Sequence, residues 1–326
     1  MNPKDYKTIK TQRGFIYSYY FSPASRDKPV LFMAHGFPTT SVLFKKEIPF
    51  FKERGYGLIV PDQLGFGGSD KPSDPKMYAG RGISRDAIDI LDAEGIEQVI
   101  AVGHDWGSST VSTMLRYFPE RVSAVAFLAI GYNPADGALN LILQPEEVIR
   151  LFGSDLYAYM RFFVAADAPG LMEKHMDSFL SLAYPPTPEE WKTSMSVDGA
   201  ARKWVESNTI KSRPSFMSVK EHNFLEASFL KSGMSAPLCV YKSMIEDYNL
   251  EEDAQLPSSA RDVFQPVLYI AFTADNLGPK AMAEMAHTQY VKGPLTNREV
   301  EGAGHWGLMS HPTEISHFIL EWLEAL

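Results

Sequence analysis

A doubly wound α/β sheet, mostly parallel and interrupted once by a helical cap, is the fold class this sequence predicts. Three observations carry it. Short, unbroken apolar runs alternate with helix-like stretches, each run ends on a glycine- or proline-bearing loop, and the alternation stops near Pro134 and resumes near Gln265. Runs that are apolar throughout, without period-two alternation, are what strands buried on both faces of a parallel sheet look like. Strand and helix in alternation then give a doubly wound sheet.

The elements follow in order. Tyr6–Thr11 and Phe15–Phe21, around Gly14, predict an antiparallel hairpin at the sheet edge. Val30–Ala34 runs into His35-Gly-Phe-Pro38, and Gly57–Val60 into Pro61-Asp62 and a glycine-rich stretch. Gln98–Val102 runs into Gly103-His-Asp-Trp-Gly107, and Val122–Ile130 stops at Gly131. Helices are expected over Ser84–Glu94 and Ser108–Tyr117. From Pro134 to Pro257 no buried strand is visible; aromatic-rich helical stretches (Leu151–Ala166, Met172–Leu182) flank a proline-rich turn, Tyr184-Pro-Pro-Thr-Pro188. Gln265–Phe272 and Asn297–Glu301 resume the strands before a last helix, Glu314–Leu326. The expected division is a core of 1–134 and 257–326 and a helical cap of 135–256.

Composition narrows the function. The chain has 326 residues, 45% of them hydrophobic, enough for a substantial core. Its longest apolar run, Ala124–Ile130, is strand-length rather than membrane-spanning. A net charge of −9 argues against nucleic acid or an anionic membrane as partner. The polar first twenty residues do not read as a secretory signal. One cysteine, Cys239, rules out an internal disulfide framework, and a cytoplasmic monomer or homodimer is expected.

Gly103-His104-Asp105-Trp106-Gly107 lies between a buried strand and a helix. That is the setting of a nucleophile elbow, whose sharp turn lifts the central side chain above the sheet. The other use for Asp105 is to cap the following helix. As a nucleophile, aspartate selects the chemistry. Serine attacking an sp³ carbon would leave an ether, which water cleaves poorly; a carboxylate leaves an ester, which water cleaves through a tetrahedral intermediate. With a reference pKa of about 3.9, the carboxylate needs no base for the first step.

Of the eight histidines, His305 in Gly302-Ala-Gly-His-Trp-Gly307 sits after the final strand, where the base belongs. His35 and His104, inside motifs, are expected to be structural supports, and His175, His222, His287, His311 and His317 to be solvated or packed. Asp275 follows the preceding strand and would orient the imidazole; as a bland alternative it caps its own turn. Asp136 and Asp247 are the rival acids. The order Asp105, Asp275, His305 is nucleophile, acid, base. Backbone N–H groups of Phe37 and Trp106 are the expected oxyanion donors. Gly65-Phe-Gly-Gly-Ser-Asp70 fails as a dinucleotide motif, because Asp70 stands where the third glycine is needed; with Asp62 it is expected to be a structural turn.

With these residues in hand, the chain resembles the epoxide hydrolase family of the α/β-hydrolase fold, and most closely its fungal soluble branch. The resemblance rests on His35-Gly-Phe-Pro38, Pro61-Asp-Gln-Leu-Gly-Phe-Gly-Gly-Ser-Asp-Lys-Pro72, Gly103–Gly107 and Gly304-His-Trp306. It implies a small epoxide as substrate, a vicinal diol as product, no metal or cofactor, and two cap tyrosines that hold and protonate the epoxide oxygen. One would be Tyr241, in Pro237-Leu-Cys-Val-Tyr241. The other would be Tyr159, with Tyr157 its rival, in a segment where Ala158 and Met160 replace the family's usual residues. Phe37, Trp106, Tyr157 and Trp306 are the expected substrate contacts. A haloalkane dehalogenase shares the fold, the aspartate and Trp106, but commonly has asparagine where Phe37 stands. A ligand-binding or biosynthetic rearrangement protein on the same scaffold would have no need of an intact Asp105–Asp275–His305 set.

Overall fold

The computed structural model describes residues 3–25, 27–134 and 144–326. Its centre is an eight-stranded sheet in the order β1-β2-β4-β3-β5-β6-β7-β8. The hairpin β1 (Tyr6–Lys10) and β2 (Ile16–Ser22) forms one edge, and β2 pairs antiparallel with β4. From there β4 (Gly57–Pro61), β3 (Val30–Ala34), β5 (Val99–His104), β6 (Val122–Leu128), β7 (Val267–Phe272) and β8 (Leu295–Val300) are all parallel.

The apolar runs lack a polar face because the sheet has none to offer in its middle. Every residue of β3, β4, β5 and β7 is buried. Alternate side chains feed two separate cores: Leu31, Met33, Ile100 and Val102 enter one, Phe32, Ala34, Val99 and Ala101 the other. The first core is shared with helices of the insertion and the last helix, Pro312–Ala325; the second packs under helices Gly80–Ala93, Trp106–Tyr117 and Lys280–Tyr290. This is the doubly wound arrangement expected.

Between β6 and β7 the described residues form helices and no named strand. Two long helical stretches read from the sequence are in fact broken. Leu151–Ala166 splits into Pro145–Phe152 and Ala158–Phe163, because Gly153 takes a left-handed φ of 78° and closes the first helix. Met172–Leu182 divides at His175 into Ala168–Lys174 and Met176–Ala183. Helix Gly80–Ala93 begins four residues before the expected Ser84. No helix among the described residues is long and apolar enough to cross a membrane.

The parallel strands β3, β5, β7 and β8 all deliver their C-terminal loops to one edge of the sheet, where open α/β sheets carry their sites. Those loops bear Phe37, Asp105, Asp275 and His305.

Candidate active site

Asp105 sits between β5 and helix Trp106–Tyr117 at φ 54°, ψ −123°, a conformation unfavourable to a side chain. Its carboxylate does not cap the helix, so the bland role for this residue is not taken up. Neighbouring glycines make the turn sterically feasible. A Cβ on Gly107 would lie 1.9 Å from Ala34 O, one on Gly103 2.6 Å from Gly107 O, and one on Gly36 2.2 Å from Asp105 Oδ1. The elbow is therefore wedged against the end of β3, which brings the Phe37 N–H to Asp105 Oδ1 at 2.8 Å. The Phe37–Pro38 peptide bond is cis.

His305 Nε2 stands 3.5 Å from Asp105 Oδ2, and its Nδ1 bonds Asp275 Oδ2 at 2.7 Å. Asp275 fills both roles open to it. Its Oδ1 accepts from Leu277 and Gly278 N–H at 2.9 and 3.2 Å, capping the turn, while Oδ2 orients the imidazole. Of the rival acids, Asp247 lines a separate cavity beside Val240 and Ser243, and Asp136 lies outside the described residues.

Electrostatics set the resting protonation. Burial alone would strip His305 of its proton, but the charge of Asp275 and the bonds to Asp105 and Asp275 outweigh it and push the pKa up to about 10. Burial would likewise raise the pKa of Asp105 and Asp275, yet the facing His305 holds both below the usual carboxylate value. The resting site is thus an imidazolium between two carboxylates, with Asp105 anionic.

The two motif histidines buttress this set. His104 Nε2 bonds His305 O at 2.9 Å, and burial, with the neighbouring His305, lowers its pKa to about 4, so it is neutral. His35 Nε2 accepts from Gln63 N at 3.0 Å and Nδ1 bonds Gly36 O at 2.8 Å, which fixes its tautomer and the Gly36 loop. The Gly65–Asp70 stretch is a turn tied to Asp62, whose carboxylate accepts from Ser41 N at 3.0 Å and Gly68 N at 2.8 Å.

Tyr159, Tyr241, Phe37, Phe163 and Trp106 form one aromatic cluster beside Asp105. The Tyr159 and Tyr241 ring centres are 6.0 Å apart. Burial first, then for Tyr159 the charge of Asp105 and for Tyr241 the neighbouring Tyr159 and Asp105, raises both phenols well above 10. Tyr157 differs: its hydroxyl lies 3.4 Å from Met282 Sδ, and only burial lifts its pKa, to about 12.

A cavity of about 360 Å³ opens over Asp105, walled by Trp106, Tyr157 and Tyr159 and by Leu277, Met282 and other residues of the 277–290 segment. Two expectations need correction. Trp306 does not line this cavity: it lies beyond His305, stacked on Tyr184 at 4.2 Å, with its indole N–H on Ala183 O. Phe37 turns its ring into the aromatic cluster rather than the cavity wall, leaving its N–H as the part that meets Asp105. In the resting site Phe37 N–H reaches Oδ1 and His305 faces Oδ2, and among the described residues Trp106 N–H makes no bond to the carboxylate. Sequence reasoning assigned no role to Trp191, whose ring centre is 5.3 Å from that of His305, or to the 280–290 helix; neither carries a motif or a period that separates a cavity wall from ordinary core.

An aspartate on a strand–helix elbow, backed by an acid and a histidine from the last two strands, is the arrangement of a doubly wound hydrolase. The chain belongs to the alpha/beta hydrolase fold family, whose model matches residues 29–312. Among curated relatives, Epoxide hydrolase A of Mycobacterium tuberculosis is 28% identical over 306 residues, covering 91% of each chain. Bifunctional epoxide hydrolase 2 of Sus scrofa is 26% identical over 304 residues, 91% of this chain; the chain spans about half (52%) of the pig protein. Solved structures of similar fold include Epoxide Hydrolase A from Mycobacterium thermoresistibile (TM-score 0.80, 23% identity, 98% of each chain). An epoxide hydrolase from an endophytic Streptomyces superposes with a TM-score of 0.82 at 23% identity, covering 98% of this chain and 95% of that one.

Proposed function

We propose that this protein is an epoxide hydrolase that opens a small epoxide by way of a covalent ester on Asp105. The observation that carries the reading is the conjunction of an anionic elbow aspartate with two buried, protonated phenols, Tyr159 and Tyr241, beside it. The two curated relatives described above, both named epoxide hydrolases, point the same way. In this reading residues 135–256 act as the cap that supplies the phenols.

The steps balance. Asp105 Oδ attacks an epoxide carbon, the C–O bond breaks, and a tyrosine hydroxyl gives its proton to the departing oxygen. Attack also erases the charge of Asp105. That charge helps hold the protons on Tyr159 and on His305, so esterification eases both as each becomes needed. The imidazolium returns a proton to the tyrosinate and becomes a base. His305 then takes a proton from water, whose oxygen attacks the ester carbonyl, with Phe37 N–H facing the carbonyl oxygen. Collapse releases the diol and restores the carboxylate and the imidazolium. Asp275 holds the ring throughout.

A dehalogenase would need a second halide donor beside Trp106; at the loop position after β3 stands Phe37, whose ring has none to give. The test is a single turnover in ¹⁸O water with enzyme in excess. The expected result is unlabelled diol and label in the peptide containing Asp105; label in the first diol would refute the ester.

A further inference from the structure

Asp105 and His305 are 3.5 Å apart, yet they face different cavities. Asp105 is on the wall of the 360 Å³ cavity, and His305 is not. His305 lines a second cavity of about 140 Å³, on the side of Trp191, Trp306 and His311, which shares no lining residue with the first. Nucleophile and base are served by different cavities.

We propose that the second cavity supplies the water for ester hydrolysis, separately from the cavity that takes the substrate. The inference rests on the covalent reading above. Its first support is need: once the ester has formed, the alkyl group lies over Asp105 in the larger cavity and stands between the carbonyl carbon and solvent on that side. The second is capacity. A cavity holds a water when about 10–15 Å³ is open to a water-sized sphere, so 140 Å³ has room for several.

The third support is the chemistry of the wall. The indole N–H groups of Trp191 and Trp306 are engaged by Leu182 O and Ala183 O, at 2.7 and 2.8 Å, so the two rings offer the cavity apolar surface. The polar anchors are His305 itself and the pair Ser310 Oγ and His311 Nδ1, 2.8 Å apart. Together these side chains come close to the roughly two to four polar partners that a held water needs, at the edge of the cavity that His305 lines. One such water gives a proton to His305 Nε2 while its oxygen bonds the Asp105 carbonyl carbon; the ester C–O bond of the tetrahedral intermediate then breaks, and the departing alkoxide takes the proton of the new carboxyl group.

The test fills the second cavity without touching the triad or the substrate walls. Ser310→Leu and, independently, Phe216→Trp add bulk from two sides, and Phe216→Leu keeps the space open with the polar anchors in place. With styrene oxide as probe, rapid-quench mass spectrometry follows formation and decay of the adduct on Asp105. The expected result is wild-type alkylation with hydrolysis slowed at least about tenfold in both filled variants. Adduct then accumulates at steady state, and Phe216→Leu behaves as wild type. Wild-type hydrolysis in both filled variants would overturn the inference, as would equal slowing of the two steps, since a water supply acts on the second alone. His305→Gln separates the two levels. If it accumulates adduct while the filled variants hydrolyse normally, only the water route fails; if it accumulates none, the covalent reading fails as well.

Discussion

A tyrosine is a useful acid only if it keeps its proton until an alkoxide appears, and burial next to an anion gives Tyr159 that property. Removing one hydroxyl should therefore slow alkylation and leave hydrolysis of a preformed ester intact. We expect Tyr159→Phe and Tyr241→Phe each to lower the alkylation rate by about 10²-fold or more, and the double change to abolish it. Tyr157→Phe should stay close to wild type, because its hydroxyl lies against Met282 rather than in the aromatic cluster. Stopped-flow tryptophan quenching measures all four; a double variant that still opens the epoxide would remove these residues from the mechanism. At this scale much of the site was legible in the sequence. Asp105, Asp275 and His305 could be found because each must follow a particular strand, and motif glycines mark two of the three loops. Where side chains turn was not legible: Phe37 and Trp306 sit in the right motifs, but packing against Phe163 and Tyr184 draws their rings away from the cavity.

At the level of elements, the elbow is a joint between β5, β3 and the helix at Trp106, and its glycines do two different jobs. Gly107 lets the helix approach the backbone of β3, whereas Gly36 leaves space for the Asp105 carboxylate. A methyl at Gly107 meets a main-chain oxygen that cannot step aside, so Gly107→Ala should cost at least about 3 kcal/mol in urea unfolding. A methyl at Gly36 meets the Asp105 side chain from its carboxylate, at 2.2 Å, to its Cβ, at 2.4 Å, so Gly36→Ala should displace the nucleophile and lose most activity as well as stability. Wild-type activity in Gly36→Ala, or wild-type stability in Gly107→Ala, would contradict this. Strands were readable because burial on both faces leaves an unbroken apolar run. The helices of the insertion were not readable to their ends. Their aromatic content gives a continuous apolar signal that passes over the left-handed Gly153 and the break at His175.

Across the whole molecule, the insertion between β6 and β7 is tied to the sheet at widely spaced points. Tyr184 Oη donates to Pro38 O at 2.6 Å, Asn276 Nδ2 to Pro188 O at 2.7 Å, and Arg116 pairs with Asp253 at 3.2 Å. Lys45 pairs with Glu221 on a further side. Ties of this spread, together with one shared core, predict that both parts unfold together. Tryptophan fluorescence, with Trp191 and Trp204 in the insertion and Trp322 in the last helix, should give the same thermal midpoint as far-UV circular dichroism; a separate lower transition would count against it. The division of labour across these ties has a further meaning. Phe37, Asp105, Asp275 and His305, which in the proposed mechanism make and break the ester, all stand on loops of the sheet, while Tyr159 and Tyr241, the proposed donors to the departing oxygen, stand on the insertion. The excursion leaves and re-enters the chain between nucleophile and acid, so its replacement would not disturb their order. A lineage could exchange that stretch, retain the capacity to alkylate an aspartate, and acquire a different leaving group: heredity can act on the two halves of the reaction one at a time.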